Sequence, residues 1–216
     1  MDLSNLILIF FLVVFNLFFY KYFSLVISKH KPKLLIDDQF AKPQAFHETP
    51  TPLIGGICLF FSLIFIFFYF LLFENRIYYE YFSFCSLFFI LGFLDDIKIN
   101  INPNIRLLLM IILLVFLVKN NNFYIDRTGI EILNSWLEHS NFFSLFFVSL
   151  CFLFIINGAN LIDGYNGLLG IHSLIIIINL FLINFLNGNS ILTNFLFIEI
   201  IILLIFLYFN FPKAKI

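Results

Sequence analysis

Long apolar runs separated by short polar punctuation set the pattern of this chain. Seven such runs predict helices: Leu3–Ile27, Leu53–Phe73, Ile77–Leu94, Ile105–Val118, Phe142–Ile156, Leu168–Leu186 and Ile191–Phe211. None alternates apolar and polar residues with a period of two, so the strands of a membrane barrel do not fit. A helix crosses a bilayer with about 20 residues, within a range of about 17–25. The fourth and fifth runs are shorter. Either their polar flanks join the helix or the bilayer thins around them. The expected fold class is therefore all-α: a polytopic membrane helical bundle of about seven transmembrane helices, one membrane domain over residues 1–216. No internal repeat recurs at a fixed period.

Composition supports that reading. The chain is 62% hydrophobic and only 12% charged, with 35 Phe among 216 residues. A soluble domain is about half apolar and a quarter charged, so the excess means spans rather than one core. A net charge of −1 gives no basic field for nucleic acid. Cys58, Cys85 and Cys151 lie scattered in apolar runs and read as small core residues.

The first run is too long for a signal-peptide core, and no basic residue precedes it. Lys21, Lys29, Lys31 and Lys33 follow it instead. With the N-terminus outside and alternating spans, the inside segments carry Lys21, Lys29, Lys31, Lys33, Lys42, Lys98, Arg106, Lys213 and Lys215. The outside segments carry Arg76, Lys119 and Arg127. Nine against three is the bias expected of cytoplasmic loops. That orientation also gathers the chemical-looking clusters at the cytoplasmic face. The outside loop Asn120–Asn141, with Tyr124 and Trp136, reads as an interfacial anchor.

Three clusters stand out. The first is His47-Glu48-Thr49-Pro50-Thr51-Pro52-Leu53-Ile54-Gly55-Gly56. It reads either as a Pro-rich turn before a close-packed helix start or as a helix N-terminus aimed at an anion. The second is Gly92-Phe93-Leu94-Asp95-Asp96, where two adjacent carboxylates end an apolar run. Helix C-termini disfavour negative charge, and adjacent acids repel unless a cation lies near. Mg2+ would serve, and so would a plain acidic stop balanced by Lys98 and Arg106. The third is Asn157-Gly158-Ala159-Asn160-Leu161-Ile162-Asp163-Gly164-Tyr165-Asn166-Gly167-Leu168. Asn157, Asn160 and Asp163 lie three apart, the spacing of one helix face, and Gly164, Gly167 and Gly170 continue it. A glycine-rich turn with Asn caps does not explain why a carboxylate and three amides gather without a basic partner. Glu199 is an acid inside the seventh run, which reads either as functional or as a protonated acid paired with a neighbouring helix. His172 reads as a hydrogen-bonded helix contact.

In this order the three clusters resemble the polyprenyl-phosphate N-acetylhexosamine-1-phosphate transferases, the glycosyltransferase family 4 type that includes the phospho-N-acetylmuramoyl-pentapeptide transferases. The resemblance runs from about Leu3 to the end. It implies transfer of a sugar 1-phosphate from a UDP-N-acetylhexosamine to polyprenyl (undecaprenyl) phosphate, releasing UMP, in cell-wall or lipopolysaccharide glycan synthesis. It implies Mg2+ or Mn2+ and a multi-pass place in the inner (plasma) membrane, active face cytoplasmic. By motif matching Asp95, Asp96 and Asp163 are the catalytic carboxylates, with Asp95 meeting the acceptor phosphate or its proton. Asn160 and Asp163 are the metal candidates. Asn157, Asn160, Asn166, Gly164 and His47 are the substrate-binding candidates. Asn166 stands where relatives often carry a second aspartate, and Leu53 where many carry a basic residue.

After Asn210-Phe211-Pro212 the resemblance implies a Gly-Asp-x-Gly loop and further spans, absent from this sequence. The expectation is a C-terminally truncated member: a fragment, a split or decayed gene, or a chain completed by a second polypeptide or a homodimer, with little turnover alone. The alternatives are an inactive remnant, an assembly subunit of a split transferase, and a transporter. A transporter predicts acids spread through the membrane depth, whereas Asp95, Asp96 and Asp163 fall at one surface. A CDP-alcohol phosphotransferase needs Asp-Gly-x-x-Ala-Arg, and Asp163–Leu168 lacks the Ala-Arg.

Overall fold

The computed structural model describes residues 3–30, 36–37, 51–73, 79–97, 99, 101–125, 127–162 and 166–212, without the side chains of 3–5, 28, 30, 36–37, 80, 95 and 160. The described residues form α1 (Leu3–His30), β1 (Ile36–Asp37), β2 (Thr51–Pro52), α2 (Gly55–Phe73), α3 (Tyr79–Asp96), α4 (Pro103–Asn121), α5 (Glu131–His139), α6 (Asn141–Ile162), α7 (Leu168–Leu186) and α8 (Ser190–Asn210). Each of the seven apolar runs is a helix. Six helices are long and apolar enough to cross a membrane, and the apolar part of α3, Tyr81–Leu94, is shorter. The chain is thus a multi-pass helical membrane protein.

The two short runs are resolved by their flanks. α4 extends to 19 residues and α6 to 22. Asn102 caps α4, its side chain accepting the Asn104 N–H at 3.1 Å, and Pro103 opens the first turn where its missing N–H has no intrahelical role. Asn122 closes α4 in the left-handed region (φ 52), its N–H returning to Val118 O. Helix α5 falls in the loop read as an interfacial anchor.

The chain forms two compact units. The first comprises residues 1–82 and 162–216. Two clusters make its core. Leu8, Leu12, Ile66, Tyr69, Phe70, Ile198 and Ile202 pack in one; Phe19, Tyr20, Ile27, Ile54 and Cys58 pack in the other, beside Ile205, Phe206 and Phe209. The pairing of the start of α1 with the end of α2, and of the end of α1 with the end of α8, makes α1 antiparallel to α2 and parallel to α8. The turn Asn187-Gly188-Asn189 folds α7 back along α8, with Gly188 at φ 71 and Asn189 accepting the Leu192 N–H. Alternating crossings are therefore realised within this unit. A two-residue antiparallel pair, Ile36 with Pro52 and Asp37 with Thr51, precedes α2.

A polar knot sits between α1 and α2. Asn16 is fully buried; its amide donates to Leu12 O at 2.8 Å, and its oxygen accepts from Cys58 Sγ and from Ser62 Oγ, both at 3.0 Å. In hydrocarbon every such group must find a partner inside the protein, and these largely do.

The second unit spans residues 83–161. Phe84, Leu91, Leu114, Val118, Leu137 and Val148 are its buried apolar residues, and the Phe84 and Phe116 rings meet at 6.3 Å.

Candidate functional site

Within the first unit, parts of two sequence clusters meet at one end. Gly55 starts α2 directly after buried Ile54. A Cβ there would stand 2.8 Å from Phe206 Cε2. Gly170, one turn into α7, faces the same residue: a Cβ there would lie 2.8 Å from Leu207 Cδ2 and 3.2 Å from Phe206 Cε1. Gly167 turns the chain into α7 at φ 76, where a side chain is strained, and a Cβ would lie 3.1 Å from Phe211. The Asn166 amide reaches Pro212 O at 3.5 Å. Thus the starts of α2 and α7 close against the end of α8. Close packing explains Gly55, as one of the two readings had it. Gly56 has nothing within 4 Å of a Cβ position among the described residues, so packing does not explain it. Sequence reasoning did not find Phe206. A glycine spacing signals a close approach but does not say what approaches.

The second unit holds the other half of the motif residues. Asp95 and Asp96 are the last two residues of α3. The turn beyond them is closed by Ile97 N–H on Phe93 O and Ile99 N–H on Leu94 O, both 3.1 Å. Both residues therefore occupy the negative end of a helix dipole, where carboxylates are disfavoured without a cation. Asp96 is half-buried. On α6, Asn157 donates its amide to Leu153 O at 3.0 Å. The described part of α6, Asn141–Ile162, carries Asn157 and Asn160 three residues apart.

Asp163, Gly164 and His47 lie outside the described residues, as do the side chains of Asp95 and Asn160. Among the described residues no three His, Cys, Asp or Glu side chains gather as a metal group. The motif donors themselves, carboxylate and amide oxygens, are the hard ligands that Mg2+ takes. Glu199 is half-buried on α8, beside buried Ile198 and Ile202. His172 is exposed and makes no hydrogen bond among the described residues.

The sequence profile of glycosyl transferase family 4 matches residues 77–216, which include the Asp95-Asp96 and Asn157–Leu168 clusters. A phospho-N-acetylmuramoyl-pentapeptide-transferase from Dictyoglomus turgidum is 32% identical over 180 residues. That alignment covers 79% of this chain and 54% of the relative, so the chain spans about half the length of that protein.

Proposed function

The chain belongs to glycosyl transferase family 4, and on that premise we propose that its motif residues serve transfer of a sugar 1-phosphate from a UDP-N-acetylhexosamine to a membrane polyprenyl phosphate. The observation that carries the reading is the third cluster, with an acid and amides at the junction of two apolar helices inside the matched segment. An oxygen of the acceptor phosphate bonds to the sugar-bearing phosphorus of the donor. The bond from that phosphorus to the bridging oxygen breaks, and UMP leaves with its electron pair. The acceptor's second pKa is about 6, so it is mostly dianionic at neutral pH and needs little from a base.

Two anions must therefore be brought together, and catalysis is mostly positioning and charge neutralisation. A bound Mg2+ or Mn2+ supplies that neutralisation. Asp163 and Asn160 would hold it, and Asp95 and Asp96 would face the acceptor phosphate, Asp95 orienting it or taking its residual proton. Asn157 and Asn166 bind donor oxygens through their amides, Gly164 lets the donor phosphates approach the backbone, and His47 contacts substrate from the first loop. The reaction face is the cytoplasmic face of the inner (plasma) membrane, a reading that the Lys and Arg excess of these loops supports.

A chimera tests this, because the chain spans 54% of the relative. This chain replaces the matched part of the Dictyoglomus protein, in vesicles containing polyprenyl phosphate, labelled UDP-N-acetylhexosamine and Mg2+. Label moving into the lipid phase with release of UMP supports the reading. A folded chimera that releases no UMP while the parent does so in the same vesicles sinks it.

A further inference from the structure

The connection between α4 and α6 carries a feature that the transfer reaction leaves unused. These two helices are consecutive spans, so the segment 122–140 lies at one membrane surface. At about 100° per residue, Glu131, Asn134, Ser135, Glu138 and His139 fall on one arc of α5, and Ile132, Leu133, Trp136 and Leu137 on the other. The apolar arc is itself divided. Leu137 is buried and Leu133 half-buried, whereas Ile132 is 71% and Trp136 58% exposed. Phe142, in the first turn of α6, is 79% exposed.

The position of that exposed edge is fixed. Ser140 alone joins α5 to α6, and its hydroxyl accepts the Phe143 N–H at 3.2 Å. The Trp136 ring meets Phe143 edge-on at 5.3 Å. α6 has 22 residues, about 33 Å against a hydrocarbon core of about 30 Å. Its first turn therefore stands at the edge of the hydrocarbon, and Ile132 and Trp136 stand with it. A cleft of about 560 Å³ lined by Ser135, Trp136, His139, Ser140, Phe142 and Phe143 adjoins them. It has hydroxyls and an imidazole beside aromatic rings, the mixed chemistry of a lipid's ester region.

We propose that α5 is an interfacial membrane helix whose Ile132–Trp136 edge, together with Phe142, inserts into the headgroup–acyl boundary of the bilayer. α5 carries Glu131 and Glu138 and no Lys or Arg. Its attachment therefore comes from apolar burial and not from attraction to anionic headgroups, and a zwitterionic bilayer suffices.

Trp136 is the chain's sole tryptophan, so the unmodified protein reports on the site. The full chain is reconstituted in phosphatidylcholine vesicles whose acyl chains carry bromine either near the carbonyl end or near the methyl end. The expected result is a loss of Trp136 emission that is larger with the shallow bromines, unchanged when anionic lipid is added. No loss with either lipid overturns the proposal, because Trp136 then faces water or protein. A larger loss with the deep bromines, or quenching that requires anionic lipid, overturns it as well.

Discussion

Gly55 and Gly170 face opposite edges of one ring, that of Phe206: a Cβ on Gly55 would lie 2.8 Å from its Cε2, and one on Gly170 3.2 Å from its Cε1. The two glycines come from different motifs, and the ring at the end of α8 holds their helices together. Gly55→Ala must displace an aromatic ring, which has few ways to yield, and is expected to cost about 1–3 kcal/mol as overpacking, less up to about 1 kcal/mol of helix propensity regained. Gly56→Ala meets nothing among the described residues and gains that propensity. Thermal unfolding in detergent compares the two; equal melting temperatures would remove the ring from the account.

Which parts of this were legible beforehand follows from range. Apolar runs encode helices locally, so α1 to α4 and α6 to α8 could be read residue by residue. The ends of α4 could not, because Asn102 and Asn122 act through capping geometry beyond the hydrophobic pattern. Helix α5 was hidden for a related reason: nine residues with two acids resemble a loop until the side chains of Leu133 and Leu137 find a surface. The motif residues were legible as chemistry. Their placement against Phe206 was not, because it depends on contacts between residues far apart in the chain, Gly55 and Gly170 each meeting a residue of α8.

Asn16 and Ser62 join α1 to α2 through one buried hydrogen bond of 3.0 Å. Asn16→Ala and Ser62→Ala, singly and together, give a double-mutant cycle. A coupling of about 0.5–1.7 kcal/mol is expected, the size measured for hydrogen bonds between membrane helices. A coupling indistinguishable from zero would show that Ser62, which also donates to Cys58 O at 3.0 Å, does not depend on Asn16.

Tyr20 points the other way. It is fully buried against Phe209, and its hydroxyl has no hydrogen-bond partner among the described residues. Burying an unpaired hydroxyl costs about 1–3 kcal/mol. Tyr20→Phe keeps the ring and is expected to leave the melting temperature unchanged or raise it. A clear drop would show that the hydroxyl is engaged in the membrane-embedded protein.

The last expectation concerns Asn166. Its amide reaches toward Pro212 O at 3.5 Å, the limit of a hydrogen bond, so the contact holds it weakly. If a neutral amide binding the donor is what the site needs there, Asn166→Asp in the chimera adds a negative charge beside two anionic substrates. The expected effect is a higher KM for the UDP-sugar with smaller change in kcat, eased by raising Mg2+. Asp163→Asn, by contrast, removes the charge proposed to hold the cation and should lower kcat about a hundredfold or more, as losses of a transition-state electrostatic contact do. Steady-state rates at several Mg2+ concentrations separate the two variants. An Asn166→Asp chimera with kcat reduced as far as that of Asp163→Asn would place Asn166 with the metal-holding group rather than with the donor.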